Sequence, residues 1–121
     1  MIKAKLLRSP KPKNLYMGIV AIASYRPKPG KEAAFQEVLK KHIPILRAQG
    51  LVTDAPVYAS RSANGTILEV FEWKSQEAKS KAHENKVVMD CWNQFFGLAE
   101  IVPLSSLEET KAPFASFERI A

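Results

Sequence analysis

The sequence has one cysteine, Cys91, and two histidines, His42 and His83. A single cysteine excludes an intrachain disulfide and fits a reducing compartment, so a cytoplasmic location is expected. No cysteine or carboxylate pairs cluster around either histidine, and a structural zinc site is set aside. Nowhere does the chain hold the roughly 20 consecutive apolar residues that a membrane span needs. Its basic start has no apolar core long enough for a secretory signal. Acidic residues are absent from the first thirteen positions, which carry Lys3, Lys5, Arg8, Lys11 and Lys13. The net charge of +6 comes mainly from there, since the remainder holds 13 basic against 12 acidic residues. Basicity therefore belongs to an arm, residues 1–14, read as a solvated tail or edge-packing segment, and neither nucleic acid nor membrane is expected as a partner.

What is present is an ordinary one-domain composition, 46% hydrophobic and 25% charged over 121 residues, enough for a real core. The domain is expected over residues 15–121. Its organising stretch is Thr66 to Leu104. Asn64-Gly65 is a strong hairpin signal, and the branched and aromatic run that follows reads as a central strand over Thr66 to Lys74. Ser75 can cap a helix with Glu77 in its first turn. A break at His83-Glu84-Asn85 makes Asn85 a second cap. Val88, Cys91, Trp92, Phe95 and Leu98 then recur at helical steps, with Gly97 near the end and a short returning strand after it.

Upstream, Leu15 to Arg26 reads as a first strand closed by Pro27-Lys28-Pro29-Gly30. From Lys31 to Gly50 the period is helical, with Phe35, Val38, Leu39, His42 and Leu46 on one face and Pro44 expected to kink it or shift its last turn. Pro56 to Ser62 reads as a strand, Leu104 to Lys111 as a helical turn or loop, and Phe114 to Ile120 as a short edge strand. The order is strand, helix, strand, strand, helix, strand: an α+β, ferredoxin-like split βαβ with an antiparallel sheet and both helices on one face. Strands one and three are apolar on both sides, so the open face predicts a homodimer pairing sheets face to face.

Tyr25-Arg-Pro-Lys-Pro-Gly30, then Glu69 to Lys74 followed by Ser75, Ala78, Ala82-His83 and Trp92, and finally Val102-Pro-Leu-Ser-Ser-Leu107 carry a resemblance. Over about Tyr16 to Glu118 the chain resembles the antibiotic-biosynthesis monooxygenase-like family of the dimeric α/β-barrel superfamily. The resemblance implies a dimer with a pocket between each sheet and its helices. It also implies an activity among cofactor-independent oxygenation of anthrones or quinols, haem degradation and isomerisation of a signalling sugar derivative, or none known. Where the haem-degrading branch carries Asn, Trp and His, this chain has Ala23, Ala82 and Trp92, so haem degradation is not expected and neither is any cofactor.

The residue that carries over best is His83. At a helix break it can face a pocket as a general base, or it can simply bond a backbone carbonyl. His42 reads first as a core histidine satisfied by one hydrogen bond; if it opens into the cavity of His83, the two could bind substrate oxygens. Phe71, Trp73, Trp92 and Phe95 are core or the walls of a site for a flat ligand. Tyr25, Tyr58 and Arg61 could orient an oxygen or stabilise an anion, or could lie at a dimer interface. Cys91, on an apolar helix face, reads as a small buried hydrophobe. Glu69 and Glu72 alternate to opposite faces, and whichever is buried needs a partner, for which Arg61 is the expected one. The expected function is cofactor-independent oxygenation of a small apolar aromatic or quinol-like molecule, the alternative a non-catalytic ligand-binding dimer.

Overall fold

The computed structural model describes residues 18–121. The basic arm and the expected start of the first strand, residues 15–17, lie outside the described residues. Five strands form one antiparallel sheet: β1 (Ile19–Pro27), β2 (Tyr58–Arg61), β3 (Ile67–Trp73), β4 (Ala99–Ile101) and β5 (Glu118–Arg119), in the order β4-β1-β3-β2-β5. Among the described residues three α-helices accompany it: α1 (Glu32–Ala48), α2 (Gln76–Ala82) and α3 (Lys86–Leu98). This is the ferredoxin-like α+β arrangement, with β5 added at one edge.

Local chemistry accounts for most boundaries. Gly65 takes a left-handed φ of 91°, Thr66 N–H donates to Asn64 Oδ1 at 3.0 Å, and the turn delivers β2 to β3 with Tyr58 opposite Val70 and Arg61 opposite Ile67. Ser75 Oγ accepts from Ala78 N–H at 3.0 Å and Asn85 Oδ1 from Val88 N–H at 3.1 Å, which splits the helical stretch into α2 and α3 as the two cap residues predict. Replacing either Ser75 or Asn85 by Ala is expected to cost about 1 kcal/mol, read from the urea midpoint. β1 runs one residue past its expected end, because Pro27 sits at the strand terminus opposite Ala99, where no ladder N–H is needed. Helix α1 continues through Pro44, whose position is solvent-exposed, so water can satisfy the carbonyl that its ring leaves without a donor. The edge strand at the C-terminal end is only two residues, paired with Ser60 and Arg61.

Alternation along the strands sets the layers. Ile19, Ala21, Ala23 and Tyr25 of β1 lie opposite Trp73, Phe71, Glu69 and Ile67 of β3 on the face that the helices cover. Two apolar clusters fill this layer, one around Leu46, Phe71, Trp73, Ala82 and Val88, the other around Tyr25, Phe35, Ile67, Cys91 and Phe95. On the other face, Ile22, Val70 and Tyr58 stand side by side across three strands. The segment after β4 covers the far end of that face: Val102 N–H donates to Ser24 O, Leu107 is buried, and Glu109 accepts from Ser62 Oγ and from Ala63 N–H. The Ala63 hydrogen bond holds the Glu109 carboxyl below its usual range. Among the described residues no helix is long and apolar enough to cross a membrane.

Candidate functional site

Between the sheet and the helices lies a cavity of about 380 Å³. The small Ala21 and Ala23 of β1 leave its floor open, and Phe71 and Trp73 of β3, Trp92, Phe95 and Phe96 of α3, and Ile101 of β4 wall it with apolar surface. Tyr25, His42, Lys79 and His83 add the polar groups. A few polar groups set in an aromatic pocket is the pattern of small-molecule sites.

The two histidines share this cavity but are held differently. His42 projects from α1 and is 2% exposed. Its ring lies 5.7 Å from that of Phe71 and 4.9 Å from that of Phe95, at the meeting of the two apolar clusters. Trp92 Nε1, which can only donate, lies 2.9 Å from His42 Nε2. Nε2 must therefore accept, the ring proton sits on Nδ1, and Nδ1–H donates to Glu69 Oε1 at 2.8 Å. The same oxygen accepts the Tyr25 hydroxyl at 3.0 Å. His42 is thus a neutral tautomer with both nitrogens engaged.

His83 ends α2 and is solvent-exposed, its ring 5.0 Å from the Trp92 ring in an edge contact. Its ring makes no hydrogen bond to a described residue, and its backbone N–H closes the helix on Ser80 O. The break between α2 and α3 places this side chain at the mouth of the cavity. Lys79, one turn earlier on α2, is the only lysine or arginine in the lining among the described residues.

Burial, and then the Glu69 charge beside it, push the Tyr25 hydroxyl well above its ordinary value. Tyr25 thus stays protonated in the fold beyond the pH at which it ionises when unfolded. The stability it contributes is fully present below about pH 10 and is lost as the pH rises through its folded-state value. Tyr25→Phe is expected to flatten the alkaline end of the stability profile, checked by urea midpoints between about pH 8 and pH 11. Burial, followed by Glu69, also raises the Cys91 thiol, which keeps it a packed hydrophobe rather than a nucleophile.

Of the residues expected to form a site, Tyr25, His42, Phe71, Trp73, His83, Trp92 and Phe95 come together here. Tyr58 and Arg61 do not. Tyr58 lies on the opposite face of the sheet, under the Arg119 guanidinium at 4.9 Å, and Arg61 sits at the β2–β5 edge, 3.8 Å from Glu118. The expected Glu69–Arg61 pair is corrected accordingly: Glu69 is the buried carboxylate, and its partners are His42 and Tyr25. Arg61, two residues further along β2 than the Ala59 that faces Glu69, finds Glu118 on β5 instead. Glu72, on the other face, accepts from Thr53 Oγ1 at 2.7 Å. Lys79, Phe96 and Ile101 were not anticipated. Lys79 at one turn before His83 was the readable signal, whereas Phe96 and Ile101 enter only through the way α3 hands over to β4.

The architecture is a ferredoxin-like sheet roofed by helices, with an aromatic cavity between them. The family model for antibiotic biosynthesis monooxygenase matches residues 18–90, more than half of the chain, and the chain belongs to that family. No curated protein and no solved structure gives a significant match. Ala23 and Trp92 both line the cavity, and neither side chain offers a ligand for iron.

Proposed function

We propose that the chain is a monooxygenase of a small, flat, electron-rich hydroxyaromatic or anthrone-like molecule bound in the aromatic cavity, with His83 as the base. The observation that carries this reading is the contrast between the two histidines: Trp92 and Glu69 occupy both nitrogens of His42, while the His83 ring stands at the cavity mouth with no described partner. An imidazole whose ring nitrogens meet no described residue can take a proton from a substrate held against Trp92. Lys79 is placed to favour the enolate that results.

The resulting carbanion passes one electron to dioxygen, and the radical pair joins through a carbon–oxygen bond. Protonation of the distal oxygen by the His83 imidazolium and loss of the second proton from that carbon break the O–O bond. One oxygen atom stays as a carbonyl and the other leaves as water. The apolar walls exclude bulk water from the anion meanwhile.

The working unit in this proposal is a homodimer. What supports it is the open face of the sheet, where Val20 is 64%, Ile22 49% and Tyr58 45% exposed in one chain. Ile22→Arg is expected to convert a dimer into a folded monomer by sedimentation velocity; an unchanged dimer would remove this face as the interface.

Thermal melts with anthrones and quinols, each followed by product analysis, test the activity. Stabilisation with turnover supports the oxygenase. Stabilisation without product contradicts it and makes the chain a ligand-binding member of the family.

A further inference from the structure

A second cavity, of about 350 Å³, opens between α1 and the β2 edge of the sheet. Leu39 and Ile43 of α1, with Val57 and Ile120 across from them, give it an apolar body, and Glu69 forms part of its wall. Glu69 is absent from the wall of the aromatic cavity, so its side chain separates the two spaces.

The hydrogen-bond partners of Glu69, which is 2% exposed, fall unevenly on its two oxygens. Both of its donors, Tyr25 Oη and His42 Nδ1, converge on Oε1, which therefore carries no proton. Oε2 takes no hydrogen bond from a described residue. The only basic side chain within salt-bridge distance among the described residues is His42, which the Trp92 indole fixes as the neutral tautomer. Oε2 is thus the carboxyl oxygen left free to meet a ligand, and a cation placed against a carboxylate away from water is held strongly. Lys40, at the rim, has its ammonium 2.9 Å from Glu37 Oε2.

We propose that this second cavity is a binding site for a small primary ammonium compound with an apolar body about the size of one aromatic ring, its N–H groups donating to Glu69 Oε2. The volume lies at the lower end of the range for small-molecule sites, about 300–1,000 Å³. An anion of the same shape offers Oε2 no donor, and a neutral isostere makes no charge-assisted hydrogen bond to it. The site is independent of the oxygenase reading, because it lies across Glu69 from the aromatic cavity.

The test is titration of the full chain with benzylammonium, benzyl alcohol and benzoate, by calorimetry and by amide chemical shifts. Glu69→Gln is the informative variant: its amide oxygen still accepts from Tyr25 and His42, while an NH2 replaces Oε2. Ala59→Phe, on the strand position opposite Glu69, fills the cavity from another residue. Wild type is expected to bind benzylammonium at least about tenfold more tightly than benzyl alcohol, and benzoate more weakly than either. Glu69→Gln is expected to erase that preference and Ala59→Phe to abolish binding, with shifts in wild type centred on α1 and β2. Equal affinity for amine and alcohol, retention of the preference in Glu69→Gln, binding undiminished in Ala59→Phe, or no saturable binding to the folded wild type would each overturn the proposal.

Discussion

Replacing His42 by Ala is expected to remove about 3–5 kcal/mol of folding stability, from lost buried hydrogen bonds and the cavity left by the ring, which for a domain of this size is a large part of the total. The cost has three sources that act together. Glu69 loses the Nδ1–H donor 2.8 Å away and remains buried with the Tyr25 hydroxyl alone. The Trp92 indole N–H, now 2.9 Å from Nε2, loses its acceptor in a half-buried position. The ring also leaves a space between Phe71 and Phe95, whose rings it touches at centroid distances of 5.7 and 4.9 Å. Urea unfolding of the single variant measures the sum. The double variant His42→Leu with Glu69→Leu separates the causes, because it removes the stranded carboxylate along with its partner. It is expected to be more stable than His42→Ala, because replacing both partners of a buried hydrogen bond by apolar groups strands no acceptor. A loss below about 1 kcal/mol in His42→Ala would mean that the polar pair does not hold the two apolar clusters together.

Replacing His83 by Ala is expected to lower turnover by about 10²- to 10⁴-fold, the ordinary contribution of a positioned general base. Folding stability should change by no more than about 0.5 kcal/mol, since the side chain is exposed and makes no described hydrogen bond. This separation distinguishes it from His42, for which stability falls first. Chemical rescue is the sharper readout: added imidazole should restore part of the turnover of His83→Ala and leave wild type unchanged. A variant with full turnover, or one that imidazole does not rescue, would remove His83 as the base.

The elements were legible because the signals that set them are local. Asn64-Gly65, Ser75 and Asn85 act within three residues of themselves, and each made the turn or cap its chemistry predicts. Alternation in β1 and β3 told which residues face the helices, so most of the aromatic walls were legible as well. Glu69 shows the limit of that reasoning. A period of two assigns it to one of two faces, but it does not say that Tyr25, 44 residues away, and His42, 27 residues away, converge on one carboxylate oxygen. That meeting depends on how α1 lies across the sheet, which no local pattern encodes. Arg61 was the neighbour expected from strand pairing, yet the register puts Ala59 opposite Glu69 and leaves Arg61 to β5. The second cavity has the same origin, a gap between α1 and the β2 edge where residues far apart in the chain come together.

Oxygen consumption by purified, metal-stripped protein, measured with a panel of anthrones and quinols beside His83→Ala and a protein-free blank, tests the central claim most directly. The account predicts uptake above the blank with at least one substrate, one carbonyl product per dioxygen consumed, and loss of that uptake in a His83→Ala protein that melts like wild type. Uptake equal to the blank across the panel by folded protein, or uptake undiminished in the variant, would contradict it.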